Sequence, residues 1–124
     1  MRYPLTRALS AATASYGVFA LLRPRHLGKA VTADPTEQAA YDALAQTYGA
    51  RDLAVSALAL LGGSDRRIST AILFRIVFDV SDGLILAPRA GCHRDAAARN
   101  KVLGVTFGWA TLNALALAVD RRRA

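Results

Sequence analysis

Two stretches of this 124-residue chain carry no charged side chain: Ala8–Leu22, 15 residues, and Val102–Val119, 18 residues. The charges gather instead in Met1–Arg7, Arg23–Asp42, Asp65–Arg67, Pro88–Lys101 and Asp120–Ala124, and two further apolar runs, Leu53–Leu61 and Ile68–Ala87, lie between these clusters. A bilayer core is crossed by about 20 residues of helix. The pattern therefore predicts an all-α chain, a single four-helix transmembrane bundle with antiparallel up-down neighbours, its helices at about residues 4–22, 35–61, 68–87 and 101–119. The punctuation agrees. Pro24 stops the first segment, Asp34-Pro35-Thr36-Glu37 places an N-cap, a proline and a first-turn acid at the start of the second, Gly62-Gly63 ends it, Pro88 ends the third, and Arg121–Arg123 closes the fourth. Ser64–Arg67 reads as a tight turn, Arg23–Ala33 as a polar connection and Ala90–Arg99 as a polar loop with a helical tendency at Ala96–Ala98.

Composition sharpens this. The chain is 53% hydrophobic and 20% charged, with mean hydropathy +0.24 and net charge +7. The basic residues sit in short blocks beside apolar runs, as headgroup anchors do, rather than in a stripe with interleaved aromatics. The expected partner is the lipid bilayer, with a membrane protein or a second copy of the chain beside it, and not nucleic acid. The expected location is the cell membrane of a bacterium, multi-pass. Basic residues tie at seven on each side, so orientation rests on the longer, more acidic loops after the first and third segments, which favours cytoplasmic termini. No small-x-small site follows Leu22, so the first segment is expected to stay in the mature chain. Cys92 has no partner cysteine; Cys92-His93 without a second ligand pair falls short of a zinc site, and His26 reads as a loop residue. No metal and no cofactor is expected.

The third segment is the obstacle, because Arg75, Asp79 and Asp82 lie near its middle. Each costs about 2.5–3.5 kcal/mol at a helix centre, while each large apolar residue returns about 0.3–0.6. A soluble four-helix bundle is the rival reading. The angular positions of the polar residues favour the membrane. At 100° per residue, Arg75, Asp79 and Asp82 share one narrow face of the third segment. Thr6, Ser10, Thr13 and Gly17 do so on the first, Tyr48, Asp52 and Ser56 with Arg51 beside them on the second, and Thr106, Trp109 and Asn113 on the fourth. A soluble helix has one apolar stripe and a broad charged face; these have the reverse, which suits helices with lipid outside and polar groups within.

Tyr48-Gly49-Ala50-Arg51-Asp52-Leu53, the apolar run and basic turn after it, and Arg75…Asp79…Asp82-Gly83 resemble a family of small bacterial and fungal four-helix membrane proteins of unknown function near the DoxX-like group. The resemblance covers the second to fourth segments, about two thirds of the chain. It implies four membrane helices and a Gly-x-Arg paired with an Asp one helix on, here Gly49, Arg51 and Asp79 or Asp82. It implies no reaction.

Ionisable residues inside a membrane are costly to bury, which makes them functional candidates. Asp79, Asp82 and Arg75 are the catalytic candidates; Arg51, Asp52, Asn113 and Tyr48 are the binding candidates. A carboxylic acid beside a carboxylate, a guanidinium and an amide could protonate an epoxide or alkene, or pass a proton. The plainer reading makes Arg75–Asp79 and Arg51–Asp82 structural ion pairs. Three functions follow: an accessory or structural membrane component, which the residues favour; a small membrane enzyme acting on a lipophilic substrate; or a proton-coupled carrier. A cavity opening onto Asp79 and Asp82 would favour the enzyme, and a sealed, fully paired cluster the accessory role.

Overall fold

A computed structural model describes residues 2–91 and 96–124. Among the described residues there are six α-helices and no strand: α1 Pro4–Leu22, α2 Arg25–Val31, α3 Pro35–Ala40, α4 Asp42–Leu61, α5 Asp65–Gly91 and α6 Ala96–Arg123.

The first expected segment is α1, with the same bounds. The others change. The connection Arg23–Ala33, expected to be irregular, contains α2, whose Leu27 and Val31 lie four residues apart and are buried on one face. The second segment is two helices rather than one. Asp34 caps α3 as expected, accepting from the Thr36 N–H at 2.9 Å, but the helix tightens at Tyr41, whose N–H reaches the Gln38 carbonyl at 3.2 Å. α4 starts afresh at Asp42, and Arg25 clamps that start with two bonds of 3.0 Å to its carboxylate.

The third segment is longer at both ends than residues 68–87. Ser64 is its N-cap, with Oγ accepting from the Arg67 N–H at 3.3 Å, so the turn shrinks to Gly62–Ser64. Pro88 does not stop α5. In the last turn it removes only one backbone donor, and the Arg89 guanidinium donates to the Ile85 carbonyl at 2.7 Å. The fourth segment begins at Ala96 rather than Lys101. Cys92 and His93, read as loop residues, lie outside the described residues.

The four longest helices each pack against two of the others, in the cycle α1–α4–α5–α6, and α2 covers one end against α4, α5 and α6. At the other end the helix termini bind one another. Asp120 in the last turn of α6 accepts from the Thr6 N–H at 2.7 Å at the start of α1. Arg7 donates to the last carbonyls of α4, Leu60 at 2.7 Å and Gly62 at 3.2 Å, and Arg2 pairs with Asp65 at 3.1 Å. The Asp120 and Arg7 contacts fill backbone donors and acceptors of the kind that every helix end leaves unpaired.

Along the helices the interior has three layers. Leu27, Val31, Ala45, Leu86, Ala87, Ala98 and Val102 form one apolar cluster under α2; Tyr3, Val55, Ala59, Ile68, Ala71, Ile72 and Leu117 form another at the capped end. Between them in sequence, on α4 and α5, come Asp52, Arg75, Asp79 and Asp82, all buried. The outside is apolar over the same heights: Leu58, Leu73, Phe74, Val77, Leu84, Val105, Leu112 and Leu115 are exposed, Leu84 to 62%. α1 and α6 are long and apolar enough to cross a membrane. In their middle stretches α4 and α5 carry Arg51, Asp52, Arg75, Asp79 and Asp82 towards the interior.

Candidate functional site

α4 and α5 build the polar layer. Spacings of three and four residues stack Arg75, Asp79 and Asp82 on one face of α5, and Tyr48 and Asp52 on one face of α4 with Arg51 beside them. The short turn between the helices sets these faces against each other. Arg51 meets Asp82 in a two-pronged bond, Nη1 to Oδ1 at 3.1 Å and Nη2 to Oδ2 more closely, and its guanidinium lies over the rings of Tyr48 at 4.7 Å and Phe78 at 4.6 Å. Such a fork with stacked rings suits arginine and not lysine. Arg75 reaches across to Asp52 at 2.8 Å, while its Nε lies 3.4 Å from Asp79 Oδ2 on its own helix.

The pairing is uneven. Asp82 is bound through both oxygens. Asp79 is not: its Oδ2 is buried without a hydrogen-bond partner among the described residues, and so are Arg75 Nε and Nη1 and Arg51 Nε. Asp79 and Arg75 are each only 6% exposed. The layer holds three carboxylates against two guanidiniums, so Asp79 has the weakest claim on a cation.

A cavity of about 360 Å³ reaches this layer. Its polar wall is Arg51, Asp52, Arg75, Asp79 and Asp82; Leu27, Leu86, Val102, Val105 and Trp109 give it an apolar wall, with Thr13 and Tyr16 from α1 and Lys101 from α6. Tyr16 joins α1 to α2 here, its hydroxyl 2.8 Å from His26 Nε2, while His26 Nδ1 lies 2.7 Å from the Arg23 carbonyl. If Nδ1 carries the proton, it donates to that carbonyl and Nε2 accepts from Tyr16.

Of the seven sequence candidates, Asp79, Asp82, Arg75, Arg51, Asp52 and Tyr48 line the cavity. Asn113 does not. It is buried one turn deeper, and its amide donates to the Trp109 carbonyl of its own helix at 2.8 Å. Tyr16, Trp109, Thr106 and His26 are wall residues that were not singled out as candidates. Trp109 and Thr106 were already on the polar stripe of the fourth segment. Tyr16 follows Thr13 by three residues and extends the stripe of the first. His26 was hidden by reading α2 as a loop. Among the described residues no three His, Cys, Asp or Glu side chains form a metal-holding group.

No protein-family model, no curated protein and no solved structure matches this chain. The arrangement therefore speaks for itself. A buried layer of three carboxylates and two guanidiniums with an apolar chamber beside it can hold a polar group on an otherwise greasy molecule, and can move a proton at that group.

Proposed function

We propose that this chain is a small multi-pass membrane protein, a four-helix transmembrane bundle of antiparallel up-down neighbours, that admits a lipophilic small molecule and carries out acid–base chemistry on it at Asp79. The observation that carries the reading is the cavity itself, which is lined by all five charged residues of the buried layer, Arg51, Asp52, Arg75, Asp79 and Asp82. A purely structural cluster needs no cavity beside it, and this layer has one of about 360 Å³.

The membrane half of the reading rests on inverted polarity. Buried charges and an exposed apolar belt around the same helices are costly in water and favourable in lipid. The likeness to the four-helix family near the DoxX-like group supports the same architecture through Gly49, Arg51 and Asp79 or Asp82. In the chemical step Asp79 gives a proton to, or takes one from, the bound molecule, and Arg75 steadies the negative charge that develops beside it. Arg51–Asp82 and Arg75–Asp52 hold the geometry.

A second reading, an accessory membrane component working through partner proteins, draws on those same two cross-helix pairs. One variant separates the two. In the enzyme reading Asp79→Asn keeps its detergent stability and loses turnover when nanodisc-embedded protein is incubated with medium-chain epoxides and alkenes and the products are read by mass spectrometry. A sharp loss of stability in Asp79→Asn, with no turnover by the unmodified protein, supports the accessory role instead. Alkaline carbonate extraction should leave the protein in the membrane pellet; recovery as a monodisperse protein without detergent would end both.

A further inference from the structure

A second cleft lies on the outside, at the end of α1, where the chain turns into α2. Arg23, Arg25 and Lys29 line it with one acid, Asp42, so two positive charges stand in excess. Arg25 is engaged by Asp42, through two bonds of 3.0 Å. Arg23 and Lys29 are exposed and have no acid partner among the described residues. The turn that presents them is held by its own backbone. The Arg23 N–H donates to the Phe19 carbonyl at 2.7 Å, and the Arg23 carbonyl accepts from the His26 N–H at 3.2 Å.

The other wall of the cleft is apolar. Phe19 and Leu22, in the last turn of α1, are 46% and 73% exposed. A free anion gains nothing from such a wall. A phospholipid gains from both: its phosphate meets the cations, and its acyl chains run along the helix. Arginine grips phosphate oxygens as a fork and lysine as a point charge. A zwitterionic head brings an ammonium that the excess cations repel, whereas an anionic head brings none. The cleft measures about 540 Å³, room for a phosphate and its glycerol.

Resting on the membrane half of the reading above and not on its chemistry, we propose that this cleft binds the headgroup of an anionic phospholipid, with Arg23 and Lys29 on its phosphate and Phe19 and Leu22 against the start of its acyl chains.

The test uses nanodiscs of equal phosphatidylglycerol and phosphatidylcholine, from which the protein is released in a mass spectrometer with the lipids it retains. The unmodified protein should retain phosphatidylglycerol over phosphatidylcholine by about thirtyfold, the equivalent of about 1 kcal/mol for each of two cations. Arg23→Gln combined with Lys29→Gln should abolish the preference. Arg66→Gln combined with Arg67→Gln, exposed at the opposite end, changes the net charge equally and should leave it intact. Inorganic phosphate, compared with sodium chloride at equal ionic strength, should displace none of the retained lipid. Should the Arg23/Lys29 variant fail to fold, the unmodified protein and the Arg66/Arg67 variant decide. Equal retention of the two lipids would overturn the proposal. So would equal losses in the two double variants, which mark a general attraction to a basic chain. Displacement by phosphate would overturn it as well, by making the cleft a site for a free anion. Protein that stays out of the nanodiscs and is soluble without detergent would instead remove the membrane reading on which the proposal rests.

Discussion

Gly17 of α1 and Gly49 of α4 meet backbone to backbone: a Cβ on Gly49 would stand 2.7 Å from the Gly17 carbonyl oxygen, and one on Gly17 would stand 2.9 Å from the Gly49 carbonyl oxygen. Neither neighbour is a flexible side chain, so neither can swing away. The close crossing sets α4 against α1 two residues before Arg51, and so fixes the height at which the polar layer forms. Small residues at helix crossings serve this purpose in membranes, where packing replaces the hydrophobic drive between helices.

Gly49→Ala should therefore destabilise the protein by about 1–3 kcal/mol, the usual cost of overpacking. The conservative change elsewhere on the same helix, Ala54→Gly at an exposed site, should cost about 1 kcal/mol or less. Thermal unfolding in detergent reads both. Equal melting temperatures for Gly49→Ala and the unmodified protein would mean that the crossing is loose.

The two-pronged Arg51–Asp82 pair yields a second expectation. Removing one member strands the other charge in a buried layer, at about 3–5 kcal/mol. Asp82→Ala and Arg51→Met should each lower stability by that order, and the double variant should recover much of the loss, because it leaves no orphan. A double-variant cycle in detergent checks this. Additive losses would show that the pair is not coupled.

Much of this site was legible in the sequence, and the reason is periodicity. Arg75, Asp79 and Asp82 repeat at helical spacing, and so do Tyr48, Asp52 and Ser56, so a 100° step finds their common faces without any structure. The helix ends were less legible. Pro88 reads as a stop because a proline in mid-helix costs about 3 kcal/mol, yet in the last turn of α5 it forfeits only one donor. Tyr41 gives no breaker signal at all; the division between α3 and α4 depends on where Arg25 holds Asp42, a contact 17 residues away in sequence. Asn113 shares the stripe of Thr106 and Trp109 but sits a turn below the chamber, because periodicity fixes a residue's face and not the depth at which a cavity closes. The cavity is a property of five packed helices, and no single segment encodes it.

Asp120 was counted among the charges that flank the last apolar run, yet it is 2% exposed and caps a different helix. Its two oxygens accept from the Leu5 N–H at 3.4 Å and the Thr6 N–H at 2.7 Å, so it serves α1 as an N-cap residue would, from 114 positions away. Losing a capping side chain costs about 0.5–2 kcal/mol. Asp120→Ala should lose that much, and Asp120→Asn, which keeps one acceptor oxygen, should lose less. Amide exchange at Leu5 and Thr6 should quicken in the alanine variant. Unchanged exchange there would mean that Asp120 does not hold the start of α1.

The Arg25–Asp42 clamp gives the pH expectation, because both residues lie at the solvent end of the helices. The Arg25 guanidinium, bonded to both oxygens, holds the Asp42 carboxyl below its ordinary value of 3.8. A carboxyl whose value falls on folding stabilises the fold wherever it is ionised, and the contribution is lost as the pH drops through the folded value. The clamp is thus fully present above about pH 5 and weakens only below 3.8. Asp42→Asn should melt at a lower temperature than the unmodified protein at pH 7 and by the same margin at pH 5. The margin should close as the pH is lowered through the folded value, below 3.8, where the native carboxyl takes up its proton and becomes as neutral as the amide. The effect is small because the pair is exposed and screened by solvent; raising the salt concentration at pH 7 should shrink the margin as well. A margin that persists at pH 2 would show that Asp42 holds α2 to α4 by hydrogen bonding alone, without help from its charge.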